Sequence, residues 1–147
     1  MTDAANVGSM GVGILSGGPV IRVGADATLH EVADLLVEAG IGALVVGGVD
    51  RATGIVSERD VVAALAARRD PETTRAGDIA RSTLVWCDAE ATIAEVAERM
   101  MERYVRHVLL EEDGRLVGIV SARDLLGAYA GADMADMEEM AELAEDR

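Results

Sequence analysis

The sequence predicts an α+β fold of two similar β-α-β-β-α halves, related by a pseudo-twofold axis and followed by one further helix. Three observations carry that expectation. Gly54-Ile55-Val56-Ser57-Glu58-Arg59-Asp60 recurs 64 residues later as Gly118-Ile119-Val120-Ser121-Ala122-Arg123-Asp124. The same offset places Ala27-Thr28 on Ala91-Thr92, Glu31-Val32-Ala33 on Glu95-Val96-Ala97, Arg51 on Arg115 and Gly13 on Gly77, with no gap from Gly13 to Leu65. A unit that occurs only twice, at so long a spacing, argues against a solenoid and for two halves sharing one core.

The elements follow in order. Val20 to Val23 reads as a short strand, and Leu84 to Cys87 is its counterpart. Thr28 with Glu31, and Thr92 with Glu95, have the capping-box spacing, in which hydroxyl and carboxylate satisfy free amides at a helix start. Leu29, Val32, Ala33 and Leu36 then fall at i, i+3, i+4 and i+7, as do Ile93, Val96, Ala97 and Met100, so each helix has one apolar stripe. Gly40 supplies a left-handed end to the first helix; Tyr104 does so less cheaply, and the second helix is expected to end differently.

Short apolar runs come next, Ala43 to Val46 and Val108 to Leu110, then Thr53 to Val56 and Leu116 to Val120, which suit strands buried on both faces. Asp113-Gly114 is a tight hairpin signal, whereas Gly47-Gly48-Val49-Asp50 is looser. A last helix closes each half, with Val61, Val62 and Leu65 matched by Leu125, Leu126 and Tyr129. The organisation is a flexible segment over 1–11, a first motif over 12–67, a connector over 68–75 containing Pro71, a second motif over 76–130 and an acidic tail over 131–147. Gly11, Gly13, Gly17 and Gly18 read as a flexible approach to the first strand and lack the spacing of a dinucleotide fingerprint.

Composition narrows the function. The chain has 147 residues, half of them apolar, enough to bury a core and to exclude disorder as the main state. Thirteen basic residues against 27 acidic give a formal charge of −14, which repels phosphate backbones and excludes nonspecific nucleic-acid or anionic-membrane binding as the main role. All the cations are Arg; Lys, Phe and Gln are absent and Asn6 is the only Asn, a bias that fits either a GC-rich genome or adaptation to high salt. The lone Cys87 cannot form an intramolecular disulfide and reads as a buried, inert thiol. No cation precedes Arg22, which argues against a signal peptide, and the longest apolar stretch, Ile41 to Val49, is far below the ~18 residues of a membrane span. A cytoplasmic protein is expected.

The segment Gly-x-x-Ser-x-x-Asp joins a strand to a helix in both halves. A capping account suffices for Ser57 with Asp60 and for Ser121 with Asp124. A functional account also fits: a helix start attracts phosphate, Ser adds a donor, and Asp can accept both hydroxyls of a ribose. Arg59 and Arg123 favour function, because a cation in the first turn opposes the helix dipole by roughly 0.3–1 kcal/mol unless it has an anion to hold. A surface pair of Arg59 with Glu58 has no parallel in the second half, where Ala122 stands instead.

These paired segments, the Thr-x-x-Glu helix starts and Tyr104-Val105-Arg106-His107-Val108 resemble a tandem pair of CBS domains, also called a Bateman module, over roughly Val12 to Ala130. The resemblance implies a non-catalytic regulatory module that binds AMP, ADP or ATP, or less commonly S-adenosylmethionine or NAD(H), in two clefts between the halves. It places ribose contacts on Asp60 with Ser57 and on Asp124 with Ser121. Phosphate contacts fall to Arg59, Arg123, Arg106 and His107. The adenine is implied to lie near Ile21, Ala43 and Val56, or near Val85, His107 and Val120. Two departures stand out: the family's Leu-Pro-Val is here Leu44-Val45-Val46 and Val108-Leu109-Leu110, and Gly42-Ala43 faces Arg106-His107 across the repeat, so the clefts are unequal. His30 and His107 lie far apart in the chain without a nearby Cys or clustered carboxylate pattern, and no metal is expected.

In the tail, Met134, Met137, Ala141 and Ala144 lie opposite Asp136, Glu138, Glu139, Glu142 and Glu145, predicting an amphipathic helix that docks on its own module or on a second chain. The expected protein is a homodimer that signals to a protein partner, with ligand fixing the relative orientation of the halves. The competing expectation is a structural or oligomerisation module with no ligand. An enzyme using Ser57 or Ser121 as nucleophile lacks a base and an oxyanion arrangement.

Overall fold

The computed structural model describes residues 4–15, 20–48 and 51–131. The tail helix expected beyond Gly131 therefore lies outside the described residues. Compact packing divides the chain into two units. One joins the N-terminal segment to Val85–Glu112 and the chain from Gly118; the other joins Pro19–Leu84 to Asp113–Val117.

The elements run α1 (Ala4–Gly8), a 3-10 turn (Val12–Leu15), β1 (Arg22–Val23), α2 (Leu29–Ala39), β2 (Ala43–Gly48), β3 (Arg51–Ser57), α3 (Glu58–Ala66), α4 (Ala76–Ile79), β4 (Trp86–Asp88), α5 (Ile93–Arg103), β5 (His107–Glu112), β6 (Arg115–Ser121) and α6 over residues 122–131. Two β-α-β-β-α motifs result, as the repeat demands. Their sheets have the orders β1-β2-β3 and β4-β5-β6. In each, the short first strand runs parallel to the second, because a helical crossover returns the chain in the same direction. Ala43 to Val46 and Val108 to Leu110 are buried throughout, as expected of strands covered on both faces.

Helices α2 and α5 begin as their sequences dictate. Thr28 Oγ1 accepts from the Glu31 amide at 3.1 Å while a Glu31 carboxylate oxygen accepts from the Thr28 amide at 3.1 Å; Thr92 and Glu95 repeat the exchange at 3.2 Å each way. Their stripes, Leu29, Val32 and Leu36, and Ile93, Val96 and Met100, are buried. Gly40 ends α2 in the left-handed region, at φ 63°. Contrary to expectation, Tyr104 ends α5 in the same way, at φ 54°, and the amides of Ile41 and Val105 close both ends onto Leu36 and Met100. Tertiary need for the same exit angle overrides the local cost of a left-handed Tyr.

Asp113-Gly114 forms the two-residue hairpin turn, both residues at positive φ (52° and 76°). The first motif's looser turn is preceded by a bulge between Val46 and Gly47. There φ is 131°, and any Cβ on Gly47 would collide with the carbonyl of Arg51.

A second departure concerns residues 7–12, which pack into the fold. Val7 and Val12 are buried in the core of the unit that contains β4, α5 and β5. The Val12 amide donates to Ala91 O at 2.8 Å and the Ile93 amide to Met10 O at 2.9 Å. In the other unit, the Ala76 amide donates to Ala27 O at 2.7 Å and the Leu29 amide to Thr74 O at 2.8 Å. Every residue of one set lies 64 positions from its counterpart in the other. The repeat therefore reaches back to Met10, and the segment preceding each motif completes the other motif. It supplies an acceptor for a first-turn amide that the helix cannot satisfy itself.

Candidate functional site

In the unit around β1–β3, parallel pairing brings Ile21 beside Val45, whose amide donates to the Ile21 carbonyl at 3.0 Å. Antiparallel pairing sets Ala43 opposite Ser57 and Leu44 opposite Val56. Ile21, Ala43, Val56 and Ser57 are thereby assembled at one end of the sheet, where β3 turns into α3. Val56 is fully buried and Ala43 nearly so.

Ser57 caps α3. Its Oγ accepts from the Asp60 amide at 3.3 Å, while Asp60 Oδ2 accepts from the Ser57 amide at 2.9 Å and the Ser57 hydroxyl at 3.0 Å. The Glu58 amide is bound to Gly42 O at 3.0 Å. Of the first-turn amides, only that of Arg59 finds no acceptor among the described residues, and the exposed Arg59 side chain forms no ion pair among them. The positive end of the helix is thus narrowed to one amide and one guanidinium on the same residue.

The second motif repeats the geometry. Val85 O accepts from the Leu109 amide at 2.9 Å, and Val85 and Val120 are buried. Asp124 Oδ2 accepts from the Ser121 amide at 2.8 Å and Ser121 Oγ from the Asp124 amide at 3.1 Å. Arg106 O accepts from the Ala122 amide at 2.8 Å, which brings exposed Arg106 and half-buried His107 beside the start of α6 and exposed Arg123. His107 is engaged with the rest of the fold.

One residue at this site has no precedent in the sequence pattern. Arg81 Nε donates to Asp60 Oδ1 at 3.2 Å. Its counterpart across the repeat is Gly17, so self-comparison of the chain offers no hint of it. Elsewhere, a depression by α5 carries the carboxylates of Asp88, Glu90, Glu95, Glu98 and Glu102 against the guanidinium of Arg99, the wrong sign for a phosphate. Among the described residues no three His, Cys, Asp or Glu side chains converge on a metal position, and no helix is long and apolar enough to cross a membrane.

Two β-α-β-β-α motifs, each with a Ser/Asp-capped helix bearing a first-turn Arg, define a regulatory module of paired small domains. The CBS domain family pattern matches residues 15–67 and 76–131, and the chain belongs to that family, whose domains are non-catalytic regulatory modules. Hypoxic response protein 1 of Mycobacterium tuberculosis is 42% identical over 108 residues, covering 72% of this chain and 76% of that protein. A crystal structure of hypoxic response protein I with two coordinated zinc ions superposes with a TM-score of 0.66 at 37% identity, over 79% of this chain and 96% of the other. The CBS domain protein PAE2072 from Pyrobaculum aerophilum, complexed with AMP, superposes with a TM-score of 0.71 at 30% identity, over 82% and 98%.

Proposed function

We propose that this CBS pair binds an adenine nucleotide or another adenosyl compound through its Ser-x-Arg-Asp helix starts and passes the bound state to a protein partner. The observation that carries the reading is the first turn of α3, repeated in α6. Each places a carboxylate at the helix start, the chemistry a ribose diol needs, though Asp60 also holds Arg81. Each also leaves one amide and one guanidinium, of Arg59 or Arg123, without a partner among the described residues for a phosphate. PAE2072, which is complexed with AMP, supports the ligand class. The module acts as a homodimer in this reading, since Val62 and Leu126, equivalent across the repeat, stand 63% and 69% exposed on α3 and α6.

Calorimetric titration with AMP, ADP, ATP, NADH and S-adenosylmethionine at fixed salt tests the proposal. Saturable binding of at least one compound is expected. The double variant Asp60→Ala/Asp124→Ala should lose about ten- to 150-fold in affinity, the worth of hydrogen bonds to a charged group. The competing reading, a ligand-free structural module, draws on the caps themselves, which already employ both carboxylates. It forecasts no heat with any compound and a stability loss of about 1 kcal/mol per lost cap.

A further inference from the structure

The two Ser-x-x-Asp sites are alike in sequence and unlike in what covers the carboxylate. At the first, Asp60 Oδ2 is taken by the amide and hydroxyl of Ser57, Oδ1 is taken by Arg81 Nε, and the side chain is 10% exposed. At the second, Asp124 Oδ2 is taken by the Ser121 amide, Oδ1 has no partner among the described residues, and the residue is exposed.

The Arg81 side chain is exposed, but its backbone is anchored. Its amide donates to Ile55 O at 2.9 Å and its carbonyl accepts from the Ile55 amide at 3.0 Å, a bridge that fixes its backbone alongside β3. Gly54 permits this approach: a Cβ there would lie 3.2 Å from the Arg81 carbonyl oxygen and 3.0 Å from the Ala80 Cβ. The fold thus delivers a guanidinium to Asp60, while the sequence places side-chain-less Gly17 at the corresponding position of the other half.

We infer that Arg81 is a built-in counter-ion that closes the first site, so that each chain takes one adenosyl ligand, at Ser121–Asp124. A ribose diol must donate to the carboxylate face that Arg81 Nε already occupies, and a mostly buried Asp60 offers it little surface. The inference rests on the proposed adenosyl-binding role.

The test is titration of the full chain with AMP, ATP and S-adenosylmethionine, comparing wild type with Arg81→Ala, Asp124→Asn and Arg81→Ala/Asp60→Asn. Asn replaces Asp because it retains much of the capping geometry, and a thermal melt of each variant checks folding. One site per chain is expected in the wild type, weakened about tenfold or more by Asp124→Asn. Arg81→Ala should bind two ligands per chain, returning to one when Asp60→Asn is added. Two sites in the wild type, or a single site in Arg81→Ala, would overturn the inference while leaving adenosyl binding intact. Absence of saturable binding in both the wild type and Arg81→Ala overturns the adenosyl reading, and this inference with it.

Discussion

His30 stands on the exposed face of α2 with Nδ1 2.8 Å from a Glu72 carboxylate oxygen and Nε2 3.6 Å from Asp34 Oδ1. The hydrogen bond to Glu72, then the charges of Asp34 and Glu72, raise its pKa above the ordinary 6.5. The folded state therefore favours the imidazolium. Its stabilisation is full below the unfolded value, while both carboxylates stay ionised above about pH 4, and is lost as pH rises through the folded value. Urea midpoints of His30→Gln should fall below wild type at pH 5.5 and converge with it near pH 9; a gap that widens with pH contradicts this. Cys87 is buried in β4, and burial raises its thiol pKa, so alkylation by maleimide should be about tenfold or more slower in the native protein than in denaturant. The inert thiol was legible from its place at the end of an apolar run. Tyr104 was not: its neighbours suggested a different helix end, and only the common exit onto β5 explains φ 54°. Tyr104→Gly should stabilise by up to about 1 kcal/mol, the relieved left-handed strain less the added freedom of the unfolded chain.

At the scale of elements, the capping boxes are wholly local, three residues apart, and the sequence showed them without ambiguity. Thr28→Ala and Thr92→Ala should each lower stability by about 1 kcal/mol in chemical unfolding, and equally, because the two caps have the same geometry. The strap that seals α5 was hidden for the opposite reason. Met10 and Val12 meet Ala91 and Ile93 far along the chain, and Gly11 and Gly13 beside them mark the stretch as a flexible approach. Val12 is completely buried, so Val12→Ala should cost about 2 kcal/mol, although it stands between Gly11 and Gly13, read as a flexible approach. A loss below about half a kcal/mol would show that the strap adds nothing to the unit's stability.

For the whole molecule, a formal charge of −14 and repeat-equivalent apolar residues on α3 and α6 act in opposite directions on self-association. Burial of Val62 and Leu126 between copies favours the proposed homodimer, and like charge opposes it. Sedimentation equilibrium should find a dimer that tightens as salt rises from about 0.01 to 0.5 M, since the Debye length shrinks from ~30 Å to a few ångströms. Val62→Glu/Leu126→Glu should be monomeric, and a variant that stays dimeric would move the interface elsewhere.

The amino-acid sequence by itself determined the double β-α-β-β-α fold, its helix starts, its hairpin and the two Ser-x-x-Asp segments, because each is written in short-range spacing and then written again 64 residues on. Tertiary structure alone decided that each motif is completed by the segment preceding the other, and that Arg81 reaches Asp60 while Asp124 Oδ1 has no partner among the described residues. Those contacts join residues whose separation carries no periodic trace. They exist only once backbone hydrogen bonding has laid one segment against another, and at Arg81, opposite Gly17 in sequence, the two halves of the repeat cease to be equivalent.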